Sequence, residues 1–407
     1  MRFLSLDEML PSDHIARVVV EYVQTLDTSR LYERIEVSAD QAGRTCTNPD
    51  VLVALWLLGT IEGIGSAREL DRRCQRDMPY MWICGEISVN RKTLSDFRID
   101  AGEFLNQLMV NTVTSLIDCG IVSLDVVAQD GMRVRASAGK SSFRRAPTLE
   151  KLRDEVESFV EQLKAQEENE KCMESETRSK AAKKRSMEDR LNRLNESLEQ
   201  IKDLAPRREK RKKGDGETTR CSTTDPEARN MKMANGGYNP AFNVQFASAA
   251  DARVIVAVDV TNEGTDGGEL HPMMERIKTS YGHPPQKVVT DGAYATKAGV
   301  QNTEQLGTQV VATVPRAEQL AKHGKDAHEK QKGDSQEYVE YRQRMKEQEN
   351  IDLCKLRPSV AEFPNAVCRN RGLQQFNVRG IAKAKVIALW HAIAYNFTRM
   401  RCLGAIN

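Results

Sequence analysis

The sequence predicts an α/β fold, a mixed sheet flanked by helices, with an all-α segment before it and a charged helical insertion inside it. Three observations carry this. Residues 1–118 show helical spacing throughout. Strand character appears over residues 119–147 and is then interrupted by a Glu/Lys/Arg-rich stretch over 148–222. Strands and helices then alternate through residues 223–407.

Taken in order, PSDHIARVVVEYVQTL opens with Ser12 and Asp13 as capping candidates ahead of apolar residues at helical spacing. NPDVLVALWLLGTIEGI repeats the design, with Asn48 as cap and Pro49 at the first helical position. In GSARELDRRCQRD, Ser66 caps a short helix whose outer face carries Arg68, Arg72 and Arg73. SVNRKTLSDFRIDAGEF is another capped helix, with Arg91, Lys92 and Arg98. Short helices with basic faces and tight turns fit a helix-turn-helix DNA reader, and a plain helical bundle is the alternative.

The strand segment holds LDVVAQDGMRVRAS. Asp-Gly between alternating strands is a hairpin signal. Its bland reading is therefore a turn at Asp130. In the insertion, Leu191, Leu194, Leu198 and Ile201 share one helix face. An antiparallel helical hairpin or short coiled coil is expected, broken around ENEKCMESETRSKAAKKR. The polar loop KKGDGETTRCSTTDPEARN follows. AFNVQFASA and RVIVAVDVTN read as a second hairpin and GGELHPMMERIKTSYG as a helix. PQKVVTDGAYAT is a short buried strand ending at Asp291, and QVVATVPR is another strand. The last segment is helical and apolar on one face through Val386, Leu389, Trp390, Ile393 and Phe397.

Composition narrows the function classes. Charged residues make up 29% and aromatics 5%, and the apolar runs are too short and too broken by Gly to span a bilayer. MRFLSLDEMLPSDH has acids where a secretory h-region would lie, so no signal peptide and a cytoplasmic setting are expected. The nine cysteines show no zinc-ligand spacing, and free thiols are expected. Net charge is only +2, but KAAKKR, RREKRKK and RNRGLQQFNVRGIAKAK concentrate base locally. Such patches suit a nucleic-acid partner, with solvated helix faces as the other reading. There is no Walker loop, GxGxxG, GxSxG or HExxH. His271 and His391 lie in helical segments and read as packing or surface residues.

Two apolar strands, VVAQD and KVVTD, end in aspartate followed by Gly. Sites in open α/β sheets form outside the carboxyl ends of strands. Neighbouring strands would make Asp130 and Asp291 converge, and converged carboxylates call for a cation such as Mg²⁺. Two such ions, about 3.5–4 Å apart, activate a water or 3′-hydroxyl and stabilise the leaving oxygen. Glu362, beside Arg357 and ahead of Pro364 at a helix start, is the third carboxylate. Asp259, Glu263 and Asp266 also follow a strand and are rivals, and Asp-Gly as a plain turn stays open.

These residues resemble bacterial insertion-sequence transposases of the DDE type. PDVLVALWLLGTIEGIGSARELDRRC and TLSDFR look like that family's N-terminal helical domain, with its Ser-x-Arg element at Ser66 and Arg68. VVAQDGMRVRASAG, TDPEARNMK, GGYNPAFNVQFA, VTNEGTDGGELHPMM, VVTDGAYAT, LRPSVAEFPNAVCRNRGLQQFNVRG and HAIAYNF follow in the family's order. The resemblance implies a ribonuclease H-like fold with a helical insertion after the first strand. It puts the catalytic, metal-holding triad on Asp130, Asp291 and Glu362, with two Mg²⁺ or Mn²⁺ ions. Tyr294 matches the tyrosine after the second aspartate, Arg357 the basic residue before the glutamate, and Arg369 a position where the family often has lysine. Asn365 and Ala366 stand where the family has Phe-Gly, and DGAY replaces DAGY.

The activity implied is hydrolysis at element ends in duplex DNA, then attack of the freed 3′-hydroxyl on target DNA, by a homodimer on DNA. Arg357 and Arg369 would contact phosphates. Arg68, Arg72, Arg73, Arg91 and Lys92 would contact the end sequence. The alternative is a catalytically silent remnant acting as a DNA-binding protein or repressor.

Overall fold

A computed structural model of the chain describes residues 5–33, 47–85, 88–169 and 174–406. It is a mixed α/β structure with a curled mixed sheet flanked by helices. Helix α1 spans Ile15–Gln24, α2 Pro49–Ile61, α3 Ala67–Arg76, α4 Met78–Cys84, α5 Arg91–Asp100 and α6 Gly102–Asp118. Leu6–Met9, Ser29–Tyr32 and Ala317–Lys322 are short helical turns. Two caps fall where the sequence places them: Asn48 Oδ1 accepts from Asp50 N at 2.7 Å and Ser66 Oγ from Glu69 N at 3.5 Å. Helix α1 is capped by His14, whose Nδ1 accepts from Ala16 N at 3.1 Å, and not by Ser12 or Asp13; Asn90 Oδ1 caps the helix at Arg91 by accepting from Thr93 N at 2.9 Å. Each accepts a bond from a donor that the first helical turn leaves unpaired.

Helix α2 is buried almost all round, as its apolar run requires. It packs on the last helix, α14 (Ile381–Cys402), where Trp56 and Trp390 lie 6.5 Å apart. Trp56 Nε1 donates to Leu94 O and Trp390 Nε1 to Arg98 O, at 3.0 and 3.1 Å. One hydrophobic core runs from the N-terminal helices through α14 to the sheet. The helices before the sheet are thus anchored to it.

The sheet strands are β1 (Val126–Arg135), β4 (Arg229–Lys232), β5 (Tyr238–Ala249), β6 (Ile255–Thr261), β7 (Lys287–Thr290) and β8 (Gln309–Ala312), in the order β4-β5-β1-β7-β8 with β6 also on β5. β1 is central, antiparallel to β5 and parallel to β7. Helices α9 (Leu270–Tyr281) and α10 (Lys297–Gln305) connect β6 to β7 and β7 to β8. After β8 come α11 (Gln336–Arg344), α12 (Gln348–Arg357), a π-helical turn (Pro358–Glu362) and α13 (Phe363–Asn370). Between β1 and β4, the two-residue strands β2 (Phe143–Arg144) and β3 (Cys221–Ser222) pair at the root of the insertion. The insertion is the expected helical hairpin, α7 (Ala146–Asn169) against α8 (Glu174–Arg211). Leu149, Val156, Val160, Leu194 and Ile201 form its own small core. Helix α8 already includes KAAKKR, so that part of the expected break is helical, and residues 170–173 lie outside the described residues.

Asp130-Gly131 is not a hairpin turn. β1 runs straight through it, with Asp130 opposite Phe246 and Gly131 opposite Gln245. The twelve residues of β5 offer a matched partner along both halves of the segment, so nothing forces a reversal. Gly131 also lacks the positive φ that a two-residue Asp-Gly turn demands. The described cysteines are free thiols. No helix among the described residues is long and apolar enough to cross a membrane.

His391 is enclosed within α14, and burial pushes its pKa from 6.5 down to about 3. The unfolded chain therefore binds a proton that the native state refuses. Stability should be complete above about pH 6.5 and fall as pH drops toward 3. One such proton corresponds to a slope of about 1.4 kcal/mol per pH unit. Denaturant titrations between these limits should show that slope, and His391→Gln should reduce it by that amount. An unchanged slope in the variant would rule out His391 as the acid-sensitive group.

Candidate active site

Asp130 sits where the parallel ladder stops. β1 and β7 pair only from Val126↔Lys287 to Ala128↔Val289. Continued two residues further, the same register would set Asp130 opposite Asp291, but the pairing stops before that point. β7 has then ended at Thr290, while β1 continues on β5 and regains a second-edge partner only at Arg135, bridged to Gln375. Asp130 thus occupies a position within the strand where one edge has just lost its partner. The chain beyond β7 turns sharply: Asp291 Oδ1 accepts from Ala293 N at 2.6 Å, and a Cβ on Gly292 would stand 2.7 Å from Thr313 O. The asparagine-type turn and the crowded glycine both hold Asp291 at the exposed strand end.

The opposite wall comes from α12, the π turn and α13. Pro358 and Pro364 have no N–H to give an α-helical ladder, and the chain widens into a π turn between them. Arg357 and Glu362 lie five residues apart, a separation that the wider turn brings to one side, and Arg357 Nη2 meets Glu362 Oε1 at 2.8 Å. Arg357 Nη1 also lies 3.8 Å from Asp130 Oδ1. Glu362 directly precedes α13, as Pro364 suggested. Asn365, on the first turn of α13, donates from Nδ2 to Asp130 Oδ2 at 2.9 Å. One guanidinium therefore bridges two of the three expected carboxylates, and an amide grips the first.

Burial raises the pKa of Asp130, and the nearby charge of Arg357, the Gly131 N–H and Asn365 pull it back only in part. Glu362 adds to the rise by repulsion. The ionised form is held at a cost. Asp291 takes no ion pair with any described residue, and no three His, Cys, Asp or Glu among the described residues are gathered so as to hold a metal ion. The donor chemistry nonetheless fits a hard divalent cation: carboxylate oxygens outnumber the one guanidinium, and the buried Asn365 Oδ1 beside Asp130 has no hydrogen-bond partner.

The other face of β1 carries a polar network that the sequence pattern does not reveal. Asp266 accepts from Asn243 Nδ2, Gln245 Nε2 and Arg133 Nη2 at 2.7, 2.9 and 2.8 Å. Gln245 Oε1 in turn accepts from Tyr294 O–H at 2.6 Å and Gln129 Nε2 at 3.0 Å. A Cβ at Gly131 would stand 2.3 Å from Gln245 Nε2 and 2.7 Å from Asp266 Oδ1. The glycine next to Asp130 is required by this network. The signal in sequence was polar residues at alternate positions of otherwise apolar strands, Gln129, Asn243 and Gln245, all fully buried. Asp266, a rival for the triad, buttresses β1 here. Asp259 is tied to Arg276 at 2.8 Å and Lys385 at 3.0 Å. Glu263 lies 3.7 Å from Arg207.

The basic candidates divide. Arg72 pairs with Glu69 at 2.8 Å, Arg73 with Glu69 and Asp77, and Lys92 with Asp96. Arg68 and Arg91 are exposed and take no ion pair among the described residues. Arg369, on α13, is half-buried and likewise without an ion pair there.

Asp130→Asn removes a charge held at a cost while keeping an acceptor for Asn365. It should raise the melting temperature by about a degree, the scale of about 1 kcal/mol in a protein of this size. A fall would show that Arg357 stabilises the carboxylate more than burial destabilises it. Gly131→Ala should lower stability by about 1–3 kcal/mol through overpacking, as read by urea denaturation.

Residues 4–100 match the family model described as Transposase domain (DUF772), which supports a transposase family for this chain. No curated protein and no solved structure matches it.

Proposed function

We propose that the chain is a DDE transposase of a bacterial insertion sequence, with a ribonuclease H-like catalytic domain that cleaves DNA at element ends and transfers the strand to target DNA. The observation that carries this reading is Arg357 reaching both Asp130 and Glu362 at the point where β7, leading to Asp291, leaves β1. The position of the insertion between β1 and the rest of the sheet supports the same reading, as does the transposase-domain match.

In this reading Asp130, Asp291 and Glu362 hold Mg²⁺ or Mn²⁺. A bound pair of such ions supplies activation of a water or 3′-hydroxyl and stabilisation of the leaving oxygen. The protein's own work is positional. Arg357 offers a planar fork suited to a phosphate and now spends it on two carboxylates. A scissile phosphate entering the site would take over that fork, leaving Asp130 and Glu362 without their cation partner. Asn365 would keep Asp130 oriented during the exchange. Arg369 extends phosphate contact along α13. Arg68 and Arg91, exposed and without an ion pair among the described residues, are the best placed of the N-terminal basic residues to meet the element ends. Two ends handled together call for a homodimer on DNA.

A second reading is favoured by one observation. Arg357 neutralises the site from within, and three carboxylates are not gathered as a metal site among the described residues. A silent copy that still binds DNA as a repressor would have this arrangement.

Cleavage of a duplex carrying the element's own ends, dependent on Mg²⁺ or Mn²⁺ and lost in Asp130→Asn, is the expected result. Unchanged cleavage by that variant would sink the mechanism. End binding without cleavage by the unaltered protein would favour the silent copy.

A further inference from the structure

A large cleft lies away from the carboxylates, between the insertion and the edge of the sheet. Its volume is about 1120 Å³. One wall is the last three turns of α8, which carry the first five residues of RREKRKK. The facing wall is built from the residues before α7, the loop before β3, and the edge formed by β4, the start of β5 and the turn after β6. Small-molecule sites of about 300–1,000 Å³ are mostly apolar. This lining instead has seven basic side chains against three acidic ones.

Most of that positive charge is uncommitted. Lys140, Arg145, Arg211 and Arg220 are exposed and take no ion pair among the described residues. Arg207 and Arg208 approach acids only at 3.7 and 3.9 Å. Cations held this close together repel one another, and the fold tolerates the cost without neutralising them. A linear polyanion spreading its charge along the cleft is the complementary partner. Two aromatic residues share the lining: Phe143, and Tyr238, which is 54% exposed with no described hydrogen-bond partner for its hydroxyl. Cations along a groove with an open aromatic face form the standard receptor for unpaired bases on a phosphate backbone.

The cleft also connects mechanically to the candidate site. Gly264 in its wall accepts from Arg133 Nη2 at 3.2 Å, and the same nitrogen donates to Asp266, which packs on Gly131 beside Asp130. A strand lying in the cleft would therefore be held within one arginine of β1.

We infer that the cleft between the helical insertion and the sheet edge binds single-stranded DNA, its phosphates on Arg207, Arg211 and Arg220 and a base on Tyr238. The choice of DNA rests on the transposase reading, but the test reads binding alone. Cleavage by Asp130→Asn tests that reading, and strand affinity tests this one.

Fluorescence anisotropy of the full chain with a labelled 20-nucleotide single strand is the measurement, with the matching duplex and RNA strand as further arms. The combined variant Arg207→Ala, Arg211→Ala, Arg220→Ala should bind the single strand at least tenfold more weakly. Its salt dependence should be shallower by about 2 in log–log slope, at about 0.7 for each phosphate no longer neutralised. Tyr238→Ala should cost the single strand about fivefold or more and the duplex nothing, and Tyr238→Phe should retain wild-type affinity. All four positions are exposed, and unchanged circular dichroism would exclude misfolding. Wild-type affinity and slope in the triple variant would overturn the proposal. So would equal loss for duplex and single strand in Tyr238→Ala, or tighter binding of the RNA strand than of the DNA strand.

Discussion

β1 is paired on both edges for only the first part of its length, and the candidate site depends on that mismatch. β5 accompanies it from Val127 to Arg135, but β7 leaves after Ala128. A residue just past that point keeps the rigidity of a paired strand on one side and gains open space on the other. Asp130 is that residue. A carboxylate on a loop would have more freedom, and one deeper in the ladder would be sealed from any substrate. Gly131 completes the arrangement by admitting the Asp266 network against the back of the strand. The front of the strand is then free for α12 and α13.

The electrostatics follow from the same geometry. Asp130 is 21% exposed, Arg357 also 21% and Glu362 51%. Charges so placed are partly desolvated, and their attraction is stronger than a surface pair would give. Arg357 cannot satisfy both acids fully: it is close to Glu362 and distant from Asp130. The consequence is a first aspartate whose charge is expensive, flanked by an amide with an unpartnered oxygen. Such a site is poised to accept a further cation or to exchange its guanidinium for a phosphate. Asn365, a departure from the Phe-Gly of the resembling family, is part of that poise, because an apolar side chain there could not donate to Asp130.

The insertion adds a second electropositive region at a different edge of the sheet. Its helices are held at their root by the short β2–β3 pair and by Ser197, which donates to Ser222 O at 2.9 Å, and are tied to the main sheet by Arg229 of β4, which donates to Gln200 Oε1 of α8. The same tether orients the end of α8 so that its arginines face β4 and the start of β5. Helix-forming charged residues and a strand edge, neither distinctive alone, make a cleft only because this short clamp fixes their distance.

Much of the architecture was legible from local pattern. Caps at Asn48 and Ser66, the β5–β6 hairpin, the charged helical hairpin and the strand ending at Asp291 all rest on interactions within a few residues, which spacing and residue type report directly. The hairpin at Asp130-Gly131 was the misreading, and its cause is physical. A turn and a straight strand with a crowded glycine share the same dipeptide, and only the length of β5, more than a hundred residues away, decides between them. The same distance hid the site's finer parts. Asn365 meets Asp130 across 235 residues of sequence, and Arg133 meets Asp266 across 133. By itself the sequence determined which residues could bear charge and which segments would be helix or strand, since those depend on periodicity and side-chain chemistry. Tertiary structure alone decided which carboxylates share an arginine, which acid buttresses the strand and which basic cluster faces an aromatic. Those outcomes depend on strand register and on the π turn, and neither has a local signature.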